Sequence, residues 1–514
     1  TVNRNGTQAD GDSFNPVISD DGQYIAYETY ADNLQVASGV FIQPDVLSDT
    51  NLNRDIYVYS RITGWHSYMS TTFDLNGNPI PSTGDSRNPS ISGSGQYVVF
   101  ESEGLDSFIS GWGIYRSDAW DTSFLTRPRG VFGADKLSSF NPQISQSGQY
   151  VVFDTFANID DINDTNDLLD VYCFDLKRDQ RYLISRNSAL VVGNGSSSQP
   201  SISDDGRYVA YRSTSTNLVT GDTNGKTDIF LHDRYALSTS LISLDTTGNL
   251  ATADSSQPKI SGDGKFVAFR TIAALEPTDT NATFDIYLRD LQNLTTELIS
   301  QDGGIIANDS SDAPAISEDG SLVVFDSIAS NLLAPDVNAE TDIFLSNRLS
   351  AVAPLVRLNL GENGVGGALD STQPDMTPDG LIVAFTSAAT NFTRDDANLV
   401  TDVFIRDHRT DSTFRASVTA AGVLGDGASS QASISSDGSL VAFSSLSTNL
   451  VAGDANAVSD VFIKNFTTGA LTLVSSSSGG TIGDDVSGAP MVAGAGRYVA
   501  FESKAGNLVP GDTN

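Results

Sequence analysis

The chain has 514 residues, 39% of them hydrophobic, including 25 Phe and 16 Tyr, which is enough apolar material for large cores and excludes wholesale disorder. Against 64 acidic residues stand 29 basic ones, a formal charge of −35 that argues against nucleic acid and anionic membrane surfaces as partners. Such dispersed acidity suits an extracellular, saline or cation-rich setting, or simply a well-solvated surface.

The chain opens on TVNRNGTQAD, which lacks the features of a signal peptide, so any export signal is expected to have been removed or to lie outside this sequence. No run of about 18 apolar residues occurs, so no transmembrane helix is expected. The first recognisable unit follows at Asn15 as NPVISDDGQYIAYET. It returns at Asn88 (NPSISGSGQYVVFES), Asn141, Gln199 (QPSISDDGRYVAYRS), Gln257, Ala313, Gln373, Gln431 and Ala489. Most of these starts lie 56 to 60 residues apart, so the chain stacks copies of one supersecondary unit.

Each unit reads as strand. PSIS is a short first strand, DG a two-residue hairpin turn, and RYVAYRS a β-branched and aromatic second strand. TDIFLHD supplies a third strand and STSLISLD a fourth, while no segment carries sustained helical periodicity with caps. Four antiparallel strands in a repeat of this length describe a β-propeller blade. In this register Phe100, Phe153, Tyr211, Phe269, Phe325, Phe385, Phe443 and Phe501 share one second-strand position and are expected between blades.

Two repeats depart from the pattern. The first carries an insertion, VASGVFIQPDVLSD, and the second lacks its third-strand loop and carries Trp112 and Trp120. Irregular copies are where one face acquires specificity, although drift in a tolerant repeat gives the same picture. The ninth unit ends at AGNLVPGDTN, where a third strand would begin, and the opening TVNRNG resembles the fourth strand near Thr472. The expectation is an all-β fold over residues 1–514: a single propeller of about nine four-stranded blades, closed by residues 1–6. Eight blades, or part of a longer array, are the alternatives.

The paired motifs S-x-S-x-D-G-x-Y-V-A-F and D-I-F-V-R-D resemble the TolB-like β-propeller repeat family, the WD40-like type with Asp at the third strand. The resemblance covers nearly the whole chain. It implies a propeller and leaves function open, since members of that family serve as periplasmic scaffolds, peptidase-associated propellers and surface proteins.

Seven units carry an added frame, D-x-N-x-x-x-D, ahead of the third strand: Asp49, Asn51, Asp55; Asp164, Asn166, Asp170; Asp222, Asn224, Asp228; Asp279, Asn281, Asp285; Asp336, Asn338, Asp342; Asp396, Asn398, Asp402; and Asp454, Asn456, Asp460. Oxygen ligands at positions 1, 3 and 7 suit a loop folded around a hard cation, Ca2+ foremost, with backbone carbonyls completing the shell. The alternative is a set of Asx turns whose last Asp accepts backbone N–H groups, with no metal at all.

Chemistry of other kinds finds little support. Cys173, the single cysteine, excludes an intrachain disulfide and sits in a strand-like run, as a buried inert thiol would. The three histidines fall in a turn (His66), at a variable surface position of a third strand (His232) and after one (His408), with no shared frame. There is no nucleophile elbow and no glycine-rich phosphate loop. The expectation is a non-enzymatic, secreted, cell-surface or periplasmic scaffold that binds other proteins or itself, with no nucleic acid partner and no membrane insertion. A carbohydrate- or peptide-binding module using the central channel is the alternative, and a polysaccharide-processing enzyme the remote one.

Overall fold

The computed structural model describes residues 9–19, 21–34, 53–73, 79–92, 94–103, 113–118, 121–124, 139–145, 148–156, 158–159, 164, 166–178, 180–333, 340–350, 355–360, 367–393, 398–454, 456–477, 479–493 and 496–508. Among them every regular element is a strand. Eight four-stranded antiparallel sheets follow one another at 13–68, 86–124, 139–183, 197–241, 255–298, 311–357, 371–415 and 429–473, and these are the blades of a β-propeller. A ninth sheet contributes two strands, Ser487–Val492 and Val499–Ser503. The eight-blade alternative is therefore met, with the start of a ninth.

The fourth blade shows why the repeat folds as it does. Its strands are Ser197–Ile202, Tyr208–Ser213, Asp228–Asp233 and Ser238–Leu241, hydrogen-bonded in sequence order. Gly206 turns the first hairpin at φ 69°, a left-handed value that an L side chain resists. Ser203 Oγ donates to Asp205 Oδ1 at 2.7 Å, and that carboxylate accepts the Arg207 N–H at 2.9 Å, closing the turn. A side chain on Gly206 would also run into the Tyr150 ring of the third blade, so this glycine is required twice over.

Within the first strand, the residue before proline adopts positive φ: Asn15 at 47°, Asn88 at 54°, Gln199 at 55°, Ala489 at 45°. The ladder slips there, between Ser198 and Ser201 in the fourth blade. Such a bulge frees the backbone N–H of that residue to reach outside its own sheet. Gln199 donates to Asp154 Oδ2 of the third blade at 3.1 Å, Asn88 to Glu28 Oε1 at 2.8 Å, and Asn15 to Glu502 Oε1 at 2.6 Å. Where the second-strand acid is missing, the glutamine of the previous bulge accepts instead, as Gln431 Oε1 does from Ala489 at 2.9 Å.

The chain divides into two compact units, Thr1–Ile144 with Val400–Val403 and Arg415–Asn514, and Ser145–Leu399 with Phe404–Phe414. In the second unit the core lies between successive blades: Ala210, Ile229, Leu231 and Ile242 pack on Val267, Phe269 and Tyr287. In the first, the ninth sheet packs on the first blade through Ile18, Ala493 and Ala500, with the Arg61 guanidinium 3.3 Å over the Tyr498 ring. The expected pairing of residues 1–6 lies outside the described residues.

Seven of the eight second-strand rings are fully buried: Phe100, Phe153, Tyr211, Phe269, Phe325, Phe385 and Phe443. Each stacks on the third-strand ring beside it, as Phe269 does on Tyr287 with centroids 6.2 Å apart. Phe501 departs from expectation and is only half-buried, because no third strand lies against it among the described residues. Truncating Phe269 to Ala should lower stability by about 3–5 kcal/mol in a chemical denaturation titration, whereas Phe501→Ala should cost clearly less. Equal losses at the two positions would contradict the packing described.

Candidate functional site

The D-x-N-x-x-x-D frames resolve into three positions with different duties. The last Asp begins the third strand and is fully buried in every frame: Asp55, Asp170, Asp228, Asp285, Asp342, Asp402 and Asp460. A serine fifteen residues on donates its Oγ to this carboxylate: Ser70 to Asp55 at 2.7 Å, Ser185 to Asp170, Ser243 to Asp228, Ser300 to Asp285 and Ser475 to Asp460 at 2.6 Å, Ser417 to Asp402 at 2.5 Å. The same Oγ accepts the N–H of the residue after the Asp, as Ser243 does from Ile229 at 3.1 Å. The pair latches the fourth strand onto the third. In the sixth blade Asn359 replaces serine, donating its Nδ2 to Asp342 and accepting from Ile343 at 3.2 Å.

The middle Asn is equally engaged. Asn224 Oδ1 accepts from the Lys226 N–H at 2.9 Å, an Asx turn, while its Nδ2 donates to Asp228 Oδ2 at 2.7 Å and to the Ala251 carbonyl at 3.1 Å. Asn281 and Asn456 repeat this, to Ala307 at 2.6 Å and Gly483 at 2.5 Å, and Asn166 reaches Gly193 at 2.7 Å. Asn398 sits in the corresponding bend, before Leu399 at φ 57°. The Asn therefore ties the loop to the turn after the fourth strand, and its oxygen serves the turn. Asp49, Asn51, Asp336, Asn338 and Asp396 lie outside the described residues.

The first Asp is where the repeats diverge. Asp164 and Asp279, 3% and 7% exposed, accept a hydroxyl from the third strand: Tyr172 at 2.8 Å and Tyr287 at 2.6 Å. Asp222 and Asp454, each 6% exposed, have phenylalanine at that position, Phe230 and Phe462, so no side chain donates to either carboxylate and only the N–H of Asn224 or Asn456 approaches it. Burial raises both above the ordinary carboxylate range, and only the N–H of Asn224 or Asn456 works the other way.

In the sixth and seventh blades a guanidinium approaches the last Asp of the frame. Arg357 Nη1 lies 3.4 Å from Asp342 Oδ2, and Arg415 Nε 3.7 Å from Asp402 Oδ2, all four side chains being buried. The equivalent fourth-strand position is Leu183, Leu241, Leu298 and Leu473 in the third, fourth, fifth and eighth blades and Tyr68 in the first. Among the described residues no group of three or more His, Cys, Asp or Glu side chains could hold a metal. What the loops offer instead is two carboxylates each, at the first and last positions.

The histidines correct two expectations. His66 lies in the fourth strand Trp65–Tyr68, beyond the turn, where it is buried with Nδ1 2.6 Å from the Tyr27 hydroxyl. His232 is fully buried rather than at the surface, because Thr239 and the Arg186–Ser188 turn of the preceding blade cover its edge. Desolvation holds its pKa at about 4. Cys173 is buried, its thiol pushed up to about 12 by desolvation, as an inert side chain would be.

Two cavities lie in the first unit. One, of about 570 Å³, is walled by successive first strands at Asn15–Val17, Asn88–Ser90, Asn141–Gln143 and Ala489–Met491, with Glu101. The other, of about 610 Å³, runs along the second strand of the ninth sheet between Val499, Phe501 and Leu508 and the rings of Phe14, Tyr27, Tyr59 and His66. The hydroxyl-or-none alternation at Tyr172, Phe230, Tyr287 and Phe462 was visible in the sequence, but its meaning required the position of the first Asp.

Burial raises the folded-state pKa of Asp170 and Asp285 to about 7 and of Asp228 to about 6, with the serine and Asn hydrogen bonds opposing. The folded chain thus holds these protons more tightly than the unfolded one, so this contribution to stability is full below about pH 4 and is lost as pH rises through 6 to 7. In chelator, the melting temperature should fall from pH 4.5 to 7.5, and Asp285→Asn, neutral throughout, should flatten that fall. An unchanged slope would contradict the burial of a titrating Asp285.

No protein-family model matches the chain, and no curated protein matches it. Among solved structures, the chain is similar to a prolyl endopeptidase at 12% identity and TM-score 0.42, over 76% of this chain and 49% of that one, so it spans about half of that protein. It is also similar to an oligogalacturonate lyase from Vibrio parahaemolyticus (15% identity, TM-score 0.39, 81% and 94% covered) and to TolB from Acinetobacter baumannii (14%, 0.29, 74% and 79%).

Proposed function

We propose that the chain is a secreted, cell-surface or periplasmic scaffold that binds other proteins or assembles with itself, its loops stabilised by calcium. The observation that carries this reading is the duty of the repeated polar residues. Asp228, Ser243, Asn224 and their counterparts hold strands and loops together, so the recurring chemistry is architectural. The outer surface is then left for partners, in keeping with a charge of −35 that discourages nucleic acid and anionic membranes. Asp222 and Asp454, buried carboxylates to which no side chain donates, favour a hard cation.

A second reading has its own support. The cavity walled by Asn15–Val17, Asn88–Ser90 and Asn141–Gln143 presents amide side chains and proline rings with one acid, Glu101, a surface suited to a glycan or an extended peptide.

Calcium should raise the melting temperature and chelation lower it, since an ion bound only by the folded loops adds about 2.7 kcal/mol per site at a hundredfold excess over Kd. Electron micrographs in calcium should show ordered side-by-side particles that chelator disperses. Specific glycan-array binding without assembly would favour the channel reading, and turnover of a polysaccharide would overturn the scaffold.

A further inference from the structure

The repeats meet one physical demand in different ways. A carboxylate removed from water needs a donor or a counter-charge, because leaving it bare costs several kcal/mol. In the third and fifth blades the demand is met by a phenol, Tyr172 to Asp164 and Tyr287 to Asp279. The sixth and seventh blades carry phenylalanine there, Phe344 and Phe404, but bring Arg357 and Arg415 from the fourth strand to the neighbouring carboxylate. The first blade carries Tyr57. Only the fourth and eighth have neither, with Phe230 and Leu241, and Phe462 and Leu473.

Among the four frames whose first Asp is described, those are the two in which no side chain donates to it, although it is only 6% exposed. Both lie close enough to a second buried carboxylate for the two to repel: Asp222 acts on Asp228, and Asp460 on Asp454. The coincidence of missing hydroxyl, missing guanidinium and orphaned carboxylate occurs twice, in blades that share no residues.

We propose that Asp222 with Asp228, and Asp454 with Asp460, each hold one hard cation, calcium foremost, and that tyrosine or arginine takes the cation's place in the other frames. This rests on the calcium reading above and narrows it from seven loops to two. Calcium suits these loops better than magnesium, which demands near-ideal octahedral geometry. Phe230 and Phe462 stack on Tyr211 and Phe443 with centroids 6.0 and 5.8 Å apart, nearly as Tyr287 does on Phe269 at 6.2 Å. A tyrosine at either position therefore fits the same slot and points its hydroxyl at the orphaned Asp.

The test is calcium titration of the chelator-stripped 514-residue chain by calorimetry, with bound ion counted by equilibrium dialysis. Wild type should take two ions per chain, Phe230→Tyr one, and Phe230→Tyr with Phe462→Tyr none, while the double variant melts in chelator at or above the wild-type temperature. Asp222→Asn with Asp454→Asn should also abolish uptake, an independent check should the tyrosine variant fail to fold. Uptake of about seven ions, or two ions retained in both double variants, would overturn the assignment to these loops and leave the calcium reading standing. No uptake by wild type would overturn both.

Discussion

A buried carboxylate begins the third strand of nearly every blade, and the repeat is organised around satisfying it. Asp228 illustrates the solution: one oxygen accepts from Ser243, the other from Asn224, and the serine accepts the next N–H of the strand. One acidic side chain thereby joins the third strand, the fourth strand and the loop before them. Breaking such a latch leaves a buried charge without partners, which costs more than the net worth of the hydrogen bonds themselves. The strictness of the D-x-N-x-x-x-D spacing follows, because the Asn amide must reach both its own Asp and the next turn.

A second set of acids joins blade to blade. The bulge before proline presents a backbone N–H that Glu28, Asp154 or Glu502 of the adjoining blade accepts. Part of the acidity therefore belongs to the interior and its seams. The two kinds of acid differ in consequence: Glu28, Asp154 and Glu502 accept a bulge N–H from the adjoining blade, whereas among the described first aspartates of the loops only Asp164 and Asp279 accept a side-chain hydroxyl, from tyrosine.

The blade was legible from the repeat: S-x-D-G set the first hairpin, alternating aromatics set the inter-blade register, and Asp set the start of the third strand. Phe501 departed because its burial depends on a strand that its own motif does not contain. His66 and His232 were misplaced because coverage by a neighbouring turn leaves no local signal. The three-ligand reading of the loops could be drawn from spacing, but spacing cannot show that Asn224 faces its turn. Nor could it show that Ser243, fifteen residues on, had already engaged Asp228. The residue that decides whether the first Asp is satisfied, Tyr172 or Phe230, lies in the strand and outside the loop motif.

If the latch is what holds each blade, its removal should be felt locally. The direct measurement is amide hydrogen exchange of Ser243→Ala against wild type, followed at Ile229, whose N–H donates to Ser243 Oγ. In the wild type this amide should be among the most protected, exchanging only by global opening. The variant should lose protection at Ile229 and through the third and fourth strands of its blade, while Ile286, latched by Ser300, keeps its own. Unchanged protection at Ile229 would contradict the central role of the buried Asp–Ser pair.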